Sequence, residues 1–212
     1  MNVSVFHVAG VDEAGRGCLA GPVYAAAVIL ADDHGIVGLN DSKKLGATAR
    51  ARLFDLIQAR AVACCIARAE PSEIDRINIL QASLLAMRRA VEGLPVRPAQ
   101  ALVDGNQPPR LDCKVTTVIG GDALHPCIMA ASILAKVARD REMQRLDAEF
   151  PGYGLAQHKG YGTALHIHAL RELGPSSIHR MTFAPCAQAQ TAFDVSRLAP
   201  ALGGLPALIS RS

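Results

Sequence analysis

Residues 3–12, VSVFHVAGVD, and residues 13–21, EAGRGCLAG, decide how this chain is expected to fold. The first stretch is rich in β-branched and apolar residues, which predicts a strand. The second contains too many glycines for a helix or a strand and is therefore predicted to be a loop. A strand that ends on an acidic residue beside glycines is typical of the carboxyl edge of an α/β sheet, where binding sites collect.

The rest of the chain extends this pattern, with consecutive strands first and then strands that alternate with helices. Further strands are predicted at 22–31, 61–69, 100–104 and 115–119. Helices are predicted after an N-cap at Thr48, through 74–87, through 128–150, and from a cap at Thr163 to Gly174. This order of elements predicts an α/β domain built on a mixed sheet.

The composition indicates a compact protein but says little about its partner. Half of the 212 residues are hydrophobic, which argues against a disordered chain, and the formal net charge is +3. That charge is compatible with a polyanionic partner but is also common among enzymes that act on small anions. The N-terminus has no basic start, and no apolar run reaches spanning length, so we expect a cytoplasmic protein without a membrane segment.

The six cysteines do not follow a disulfide or zinc pattern. They stand at positions 18, 64, 65, 113, 127 and 186, with one adjacent pair and no Cys-x-x-Cys spacing. Cys64 and Cys65 lie in an apolar run, where free thiols pack as small hydrophobic side chains. We therefore expect reduced, buried cysteines.

Three acidic motifs share one context, an apolar strand that ends in a carboxylate beside glycine. They are VDEAG with Asp12 and Glu13, LVDG with Asp104, and IGGD with Asp122. Carboxylates gathered at one sheet edge repel one another unless a cation neutralises them, and a hard divalent ion such as Mg²⁺ or Mn²⁺ is the expected ligand. Each motif alone also fits a solvated turn, but the three together favour a metal site.

Asp12 and Glu13 pose a geometric problem because neighbouring residues of a regular strand point to opposite faces. Either the chain leaves strand geometry at Glu13, which the following glycines permit, or Glu13 contributes through its backbone or a water molecule. Asp12 is therefore the better candidate for a side-chain ligand.

The motifs along the chain resemble those of the ribonuclease HII family. The resemblance is carried by DEAGRG (12–17) with AGP (20–22), DSKKL (41–45), VDGN (103–106), AASILAKV (130–137) and HKGYGT (158–163). These motifs occur in the family's order and extend to about residue 185. The resemblance implies a ribonuclease H-like fold, with a mixed five-stranded sheet flanked by helices and a helical C-terminal segment.

The same resemblance implies a catalytic domain over residues 1–185 and a tail over residues 186–212, which we expect to be poorly ordered or dependent on a partner. We expect a monomer, and the resemblance implies an endoribonuclease that cuts the RNA strand of RNA–DNA hybrids. Members also cut on the 5′ side of a ribonucleotide in duplex DNA and leave 3′-hydroxyl and 5′-phosphate ends. Asp12, Glu13, Asp104 and Asp122 would then be the catalytic and metal-binding set for two-metal in-line hydrolysis.

Substrate contacts are also implied by the resemblance. The loop Gly15-Arg16-Gly17 would contact the 2′-hydroxyl at the RNA–DNA junction, and Tyr161 would stack on the deoxyribose that follows. Glycines let the backbone come close enough to read that hydroxyl, which distinguishes RNA from DNA. Phosphates would be contacted by five basic side chains, whose alternative interpretation is an ordinary solvated charge: Lys43, Lys44, Lys136, Lys159 and Arg180.

The sequence departs from the family pattern at three positions. Cys18 stands where proline is usual, which should loosen the glycine loop and expose a thiol near the site. Gly120 stands where a lysine is common, and Met181 where a second arginine often follows His179-Arg180. We expect these changes to affect substrate binding more than the type of reaction.

Two other functions remain open from the residues alone. One is another metal nuclease of the same fold, and the other is a nucleic-acid-binding module with little or no catalysis. Elsewhere, His166 and His168 resemble a metal pair but stand two residues apart on a predicted helix, so we interpret them as surface or core residues. Asp140 fits an ion pair with a neighbouring basic residue at least as well as a place in the site.

Overall fold

One five-stranded mixed sheet forms the centre of the protein. A computed structural model describes the backbone of residues 6–202 and the side chains as far as residue 194. The strands are β1 (Val8–Ala14), β2 (Val23–Ile29), β3 (Ala63–Ala69), β4 (Gln100–Asp104) and β5 (Lys114–Val118). Their order is β3-β2-β1-β4-β5; β2 is antiparallel to β1 and β3, whereas β1, β4 and β5 run parallel. The α/β class, the mixed sheet and its five strands are confirmed.

Helices cover both faces of this sheet. They are α1 (Ala47–Arg60), α2 (Pro71–Glu92), α3 (Pro126–Glu149), α4 (Leu155–His158), α5 (Ala164–Leu173) and α6 (Ala184–Leu202), together with a short 3-10 helix at Gly121–Ala123. Helix α2 is interrupted at Asn78, whose φ of 67° is not helical, and the Asn78 side chain accepts a hydrogen bond from the Gln81 amide. Asn78 therefore caps the second half of α2.

The pleat of the strands divides the apolar side chains between two cores. Odd-numbered residues of β1 and β2, such as Val11 and Ala25, lie in the core beneath α2. Even-numbered residues such as Ala26 and Val28 lie in the core beneath α1 and α3. Side chains that alternate in this way fix which face of β1 is available to the site, because a shift of one residue would exchange the two faces.

A third core holds the glycine-rich segment against the C-terminal helices. Leu19 and Ala20 pack there with residues of α3, α5 and α6. Cys18 pairs with Tyr161, and Ala20 with His179, in two isolated antiparallel bridges. The loop after β1 is thus enclosed between two segments that follow α3 in the chain.

Several predicted boundaries need correction. The first strand continues to Ala14, so residues 13 and 14 are not part of the loop, and the predicted residues 3–5 lie outside the described residues. Thr48 does not cap α1, which begins at Ala47 after Gly46. Thr163 does cap α5, since its side chain accepts a hydrogen bond from the His166 amide.

The predicted domain boundary at residue 185 falls inside α6. Cys186 and Ala189 of this helix are buried in the third core. The first part of the predicted tail therefore packs against the domain, while residues 203–212 lie outside the described residues.

Gly10 marks the closest approach between the sheet and α3. A Cβ atom built on Gly10 would stand 2.1 Å from the backbone carbonyl carbon of Cys127 and 2.3 Å from the amide nitrogen of Ile128. Backbone atoms cannot move aside as a flexible side chain does, so β1 and α3 would have to separate.

We expect Gly10→Ala to lower the free energy of unfolding by about 2–3 kcal/mol, because it overpacks this contact. Urea denaturation followed by circular dichroism measures the change. Gly46→Ser is the matched control, since a Cβ there meets nothing within 4 Å and serine is a good N-cap. Equal stability of the two variants would show that the approach at Gly10 is not limiting.

Candidate metal and nucleic-acid site

The site begins with two carboxylates on adjacent parallel strands. The last paired residues of β1 and β4 are Val11 and Val103, so Asp12 and Asp104 each stand one position beyond the same rung. Val11 and Val103 point into the core beneath α2, and successive side chains of a strand point to opposite faces of the sheet. Asp12 and Asp104 therefore both point to the other face, which α3 covers. The sheet itself thus places the two side chains next to each other.

Asp122 reaches the same place from the 3-10 helix after β5. One carboxylate oxygen each from Asp12, Asp104 and Asp122 lies within 4.8 Å of the others. The amide of Gly121 donates a hydrogen bond of 2.7 Å to Asp104 Oδ1, which ties the short helix to the end of β4. Three converging carboxylate oxygens fit a hard divalent cation.

Glu13 is placed differently from the other three predicted ligands. The strand continues through it, so of the two alternatives for Glu13 the departure from strand geometry does not occur, and a contribution through the backbone or a water molecule stays a prediction. Its carboxylate Oε1 forms an ion pair of 3.3 Å with Arg16 Nη1. Its backbone amide donates a hydrogen bond of 2.7 Å to Asp12 Oδ1. Glu13 still lines the cavity beside the carboxylate cluster, from which its side chain stands apart.

Burial and like charge make this cluster costly without a cation. The pKa of Asp12 lies well above its usual value, first because the side chain is buried and then because Glu13 and Asp104 repel its negative charge. Burial also raises the pKa of Glu13, although Arg16 counteracts part of this. The site therefore favours either bound protons or a bound cation.

Lys43 is the basic residue that pairs with a member of the three-aspartate cluster. Its Nζ atom stands 3.6 Å from Asp122 Oδ2, while most of the side chain is exposed. The loop of Lys43 is anchored by Ser42, whose hydroxyl lies 2.8 Å from that of Ser132 on α3. Ser132 also lies beside Asp12, where its hydroxyl lowers the pKa of that carboxyl in opposition to burial. Sequence reasoning did not single out either serine, although both stand in the motifs DSKKL and AASILAKV.

A cavity of about 230 Å³ lies directly in front of these carboxylates. Residues 15–17, Lys43, Lys136 and Tyr161 line it together with Asp12 and Asp104. Gly15 has a φ of 98°, and a Cβ there would stand 1.9 Å from Arg139 Nε, so this position requires glycine. The predicted glycine loop and tyrosine thus share one cleft with the predicted metal ligands.

The remaining basic residues are placed less uniformly. Lys136 forms an ion pair of 2.6 Å with Asp140, and Lys44 is exposed. Lys159 Nζ donates to the Ala156 carbonyl. Arg180 is completely buried, so the prediction that it contacts phosphates does not fit this structure. Its guanidinium instead donates to backbone carbonyls of the glycine segment.

The three departures from the family pattern have separate local explanations. Cys18 is fully buried, so the expected exposure of its thiol is wrong. Gly120 has a φ of 70°, a conformation that favours glycine over lysine. Met181 donates its amide hydrogen to Asp75 and packs against the third core.

All six cysteines are free, as expected, but burial was predicted too broadly. Cys18 and Cys186 are buried, whereas the other four are half-buried. Half-burial suits thiols at the rim of a core, because the side chain is small and only weakly polar.

Three buried histidines support the cavity wall from behind. His158 and His166 stack with ring centroids 4.4 Å apart, and His166 Nε2 lies 3.1 Å from His179 Nε2. The Ser176 amide donates to His179 Nδ1, so His179 must carry its hydrogen on Nε2 and donate it to His166. His166 then donates from Nδ1 to the Tyr161 carbonyl, 3.0 Å away. The chain of bonds requires both imidazoles to be neutral.

His168, by contrast, is exposed on the same helix. The interpretation of His166 and His168 as a core and a surface residue rather than a metal pair agrees with this placement.

A family model described as Ribonuclease HII matches residues 9–186 of this chain. A protein named Ribonuclease HII from Bordetella avium (strain 197N) is 65% identical over 178 residues, which cover 84% of this chain and 88% of that protein. One from Verminephrobacter eiseniae (strain EF01-2) is 61% identical over 181 residues, or 85% of this chain and 87% of that protein.

The fold is also similar to a solved structure. The crystal structure of the ribonuclease H2 from Pyrococcus horikoshii OT3 superposes with a TM-score of 0.75 at 26% identity, and the match covers 89% of this chain and 99% of that one. The ribonuclease H-like fold implied by the motifs is thereby confirmed. None of the helices in the described part of the chain combines the length and hydrophobicity needed to span a bilayer.

We expect Asp104→Asn to raise the thermal midpoint by about 2–4 °C in EDTA, because it removes a charge that repels Asp12 and retains the oxygen that accepts from Gly121. Addition of Mg²⁺ should stabilise the wild type and have much less effect on the variant. Differential scanning calorimetry measures both. Asp112→Asn changes an exposed carboxylate outside the cluster and should behave as wild type. A lower midpoint for Asp104→Asn in EDTA would contradict the repulsion.

A second expectation concerns pH. Burial, followed by the proximity of His166, lowers the pKa of His179 from 6.5 to about 4. The unfolded chain therefore binds a proton between these pH values that the folded chain does not. As the pH falls from 6.5 towards 4, this group should remove about 1.4 kcal/mol of stability for each pH unit.

Urea denaturation gives the free energy of unfolding of wild type and of His179→Gln at pH 7 and pH 5. The difference between the two proteins at each pH isolates the effect of His179, because the carboxylates titrate in both. His168→Gln is the control, because His168 is exposed on α5, whereas His179 is buried in the segment that follows this helix. Identical pH dependence in wild type and His179→Gln would show that His179 does not titrate as described.

Proposed function

Because this chain belongs to the ribonuclease HII family and is therefore an endoribonuclease, we propose that it hydrolyses the RNA strand of RNA–DNA hybrids. We further propose that it cuts on the 5′ side of ribonucleotides embedded in duplex DNA and leaves 3′-hydroxyl and 5′-phosphate ends. One observation carries the proposal: the Asp12, Asp104 and Asp122 carboxylates converge beside a glycine loop in the same cleft.

Mg²⁺ or Mn²⁺, held by Asp12, Asp104 and Asp122, would supply activation of the attacking water and stabilisation of the leaving 3′ oxygen by two-metal in-line hydrolysis. Asp12 and Asp104 are rigid ligands, because each accepts a backbone amide at 2.7 Å and stands one position beyond the last rung between β1 and β4. Asp122 comes from a short helix after a glycine turn, so it would complete the second metal position. Glu13 would act from the edge of the cluster.

The cleft offers a means to recognise the sugar. Gly15 and Gly17 carry no side chain, so the backbone between them can approach a 2′-hydroxyl. Tyr161 is 46% exposed at the cavity wall, and its ring is available to pack on the deoxyribose that follows. A nucleotide with a 2′-hydroxyl on one side and one without it on the other would fit this pair of contacts.

Four lysines, of which Lys43 and Lys44 are exposed and Lys136 and Lys159 half-buried, would set the register of the duplex through its phosphates. Lys43 and Lys136 line the cleft beside the carboxylates, and Lys44 and Lys159 lie in the adjoining motifs. Contacts of this kind release counterions, so affinity should fall as salt rises. We further propose that the protein acts in the cytoplasm as a monomer.

Cleavage of a duplex that contains one ribonucleotide tests the function directly. We expect Mg²⁺-dependent cleavage on the 5′ side of the ribonucleotide and no cleavage of the all-DNA duplex. Asp104→Asn should reduce kcat by at least about a thousandfold, because it disrupts the shared metal ligand set, with a smaller change in binding. End-labelled products resolved by electrophoresis give the cut position and the end chemistry.

Two results would each reject a part of this proposal. Binding of the hybrid without cleavage at any Mg²⁺ or Mn²⁺ concentration would identify a nucleic-acid-binding module. Equal cleavage of the ribonucleotide-containing and all-DNA duplexes would identify a different metal nuclease of the same fold.

A further inference from the structure

Two arginine side chains lie buried directly beneath the glycine segment. Arg139 on α3 is 1% exposed and Arg180, which precedes α6, is 0% exposed. Within the described part of the chain, neither forms a salt bridge, and the polar contacts of both are to backbone carbonyls. Burial of a guanidinium without a carboxylate is costly, so a purely structural role would be served better by an apolar side chain.

Arg180 uses its planar fork to join the two ends of the loop. Its Nε and Nη2 atoms donate to the Gly21 carbonyl at 3.0 and 2.9 Å, and Nη1 donates to the Arg16 carbonyl at 2.9 Å. Lysine cannot reproduce this arrangement, because a single ammonium group on a flexible stem does not hold two separate carbonyls in a fixed plane.

The contact with Arg16 fixes the direction of one peptide group. In a trans peptide the carbonyl and the following N–H point in opposite directions, and this chain has no cis peptide among its described residues. The Arg16 carbonyl points at the buried Arg180, so the Gly17 N–H must point away from the protein interior. Gly17 is exposed, lines the cavity and has open space around its Cα.

The Gly17 N–H is also unused by the protein. Among the described residues it donates to no backbone or side-chain acceptor, whereas Cys18, Leu19 and Gly21 all donate to carbonyls. A fixed, outward and unpaired amide at a cavity wall is a ready donor for an oxygen of the ligand.

Arg139 performs a different task on the same segment. It donates to the carbonyls of Ala20, Pro22 and Lys159, and so joins the glycine segment to the loop that leads to Tyr161. None of these contacts touches the Arg16–Gly17 peptide. Arg139 therefore holds the segment in place, while Arg180 sets the orientation of the one peptide that faces the cleft.

We propose that Arg180 is a positioning residue for ribonucleotide selectivity, which acts by turning the Gly17 amide towards the 2′-hydroxyl of the substrate. The inference rests on the proposed function and adds to it a residue that is buried and never touches the nucleic acid. The selectivity of the site would thus depend on the Arg180 fork as well as on the glycines of the loop.

The test measures binding selectivity in the cleavage-deficient Asp104→Asn background with Mg²⁺ present. Fluorescence anisotropy gives the affinity for a duplex with one ribonucleotide and for the same duplex as all DNA. We expect Arg180→Lys to lower the ratio of these affinities by about tenfold, because the orientation of one hydrogen-bond donor is lost while the charge is kept. If Arg180→Lys does not fold, Arg180→Gln, which keeps one donor, makes the same comparison.

Asp75→Ala is the matched structural control. Asp75 accepts hydrogen bonds from the amides of Met181 and Thr182, next to Arg180 in the chain, but does not contact the glycine segment. It should lower the melting temperature and leave the affinity ratio unchanged. An unchanged ratio in Arg180→Lys, with a melting temperature lowered as in Asp75→Ala, would overturn the inference.

The two failures are distinguishable. If the Asp104→Asn parent shows no preference for the ribonucleotide and the wild type does not cut it, the proposed function itself is wrong. If the parent shows the preference and Arg180→Lys retains it, only the role of Arg180 is wrong.

Discussion

The repulsion between carboxylates that the sheet brings together is the constraint on which the rest of this structure depends. Asp12 and Asp104 occupy equivalent positions on adjacent parallel strands, whose opposite faces are fixed by two apolar cores. The strands cannot slip to relieve the repulsion, because a shift by one residue would bury polar side chains and expose apolar ones. The charge must therefore be balanced locally, by Lys43, by backbone amides and by a bound cation.

The region behind the glycine segment has the opposite electrostatics. Arg139 and Arg180 place two positive charges there, and backbone carbonyls are their acceptors. The histidines next to them are held neutral by their hydrogen bonds, since protonation of His166 or His179 would remove an acceptor from the chain. A third buried cation in this region would add repulsion to the cost of burial. The hydrogen-bonded His166 and His179 therefore add no positive charge to the region that holds the two buried arginines.

The sequence predicted those features that depend on local pattern. The strands that carry Asp12 and Asp104 could be located from β-branched runs followed by glycine, although β1 continues to Ala14, and the same edge of the sheet was expected to bring the two carboxylates together. The role of Arg180 could not be predicted in this way, because its contacts are 159 and 164 residues away in the chain. Its charge suggested a phosphate contact, whereas burial, which only the fold determines, directs it to carbonyls instead. Ser132 was missed for the same reason.

The residues that place the metal ligands and those that hold the glycine segment come from different parts of the chain. The predicted metal ligands are placed by the sheet and by one short helix, and among the residues beyond Asp122 it is Ser132 on α3 that interacts with Asp12. The glycine segment is held from three later places, by Arg139, by the bridge of Cys18 to Tyr161, and by Arg180 with its neighbour His179. If the loop reads the sugar as proposed, the contacts with the ribonucleotide come from the N-terminal part of the chain but their geometry comes from the C-terminal part. Catalysis and recognition are then supported by different regions of one domain, and substitutions in the C-terminal segment can change what is cut without changing how it is cut.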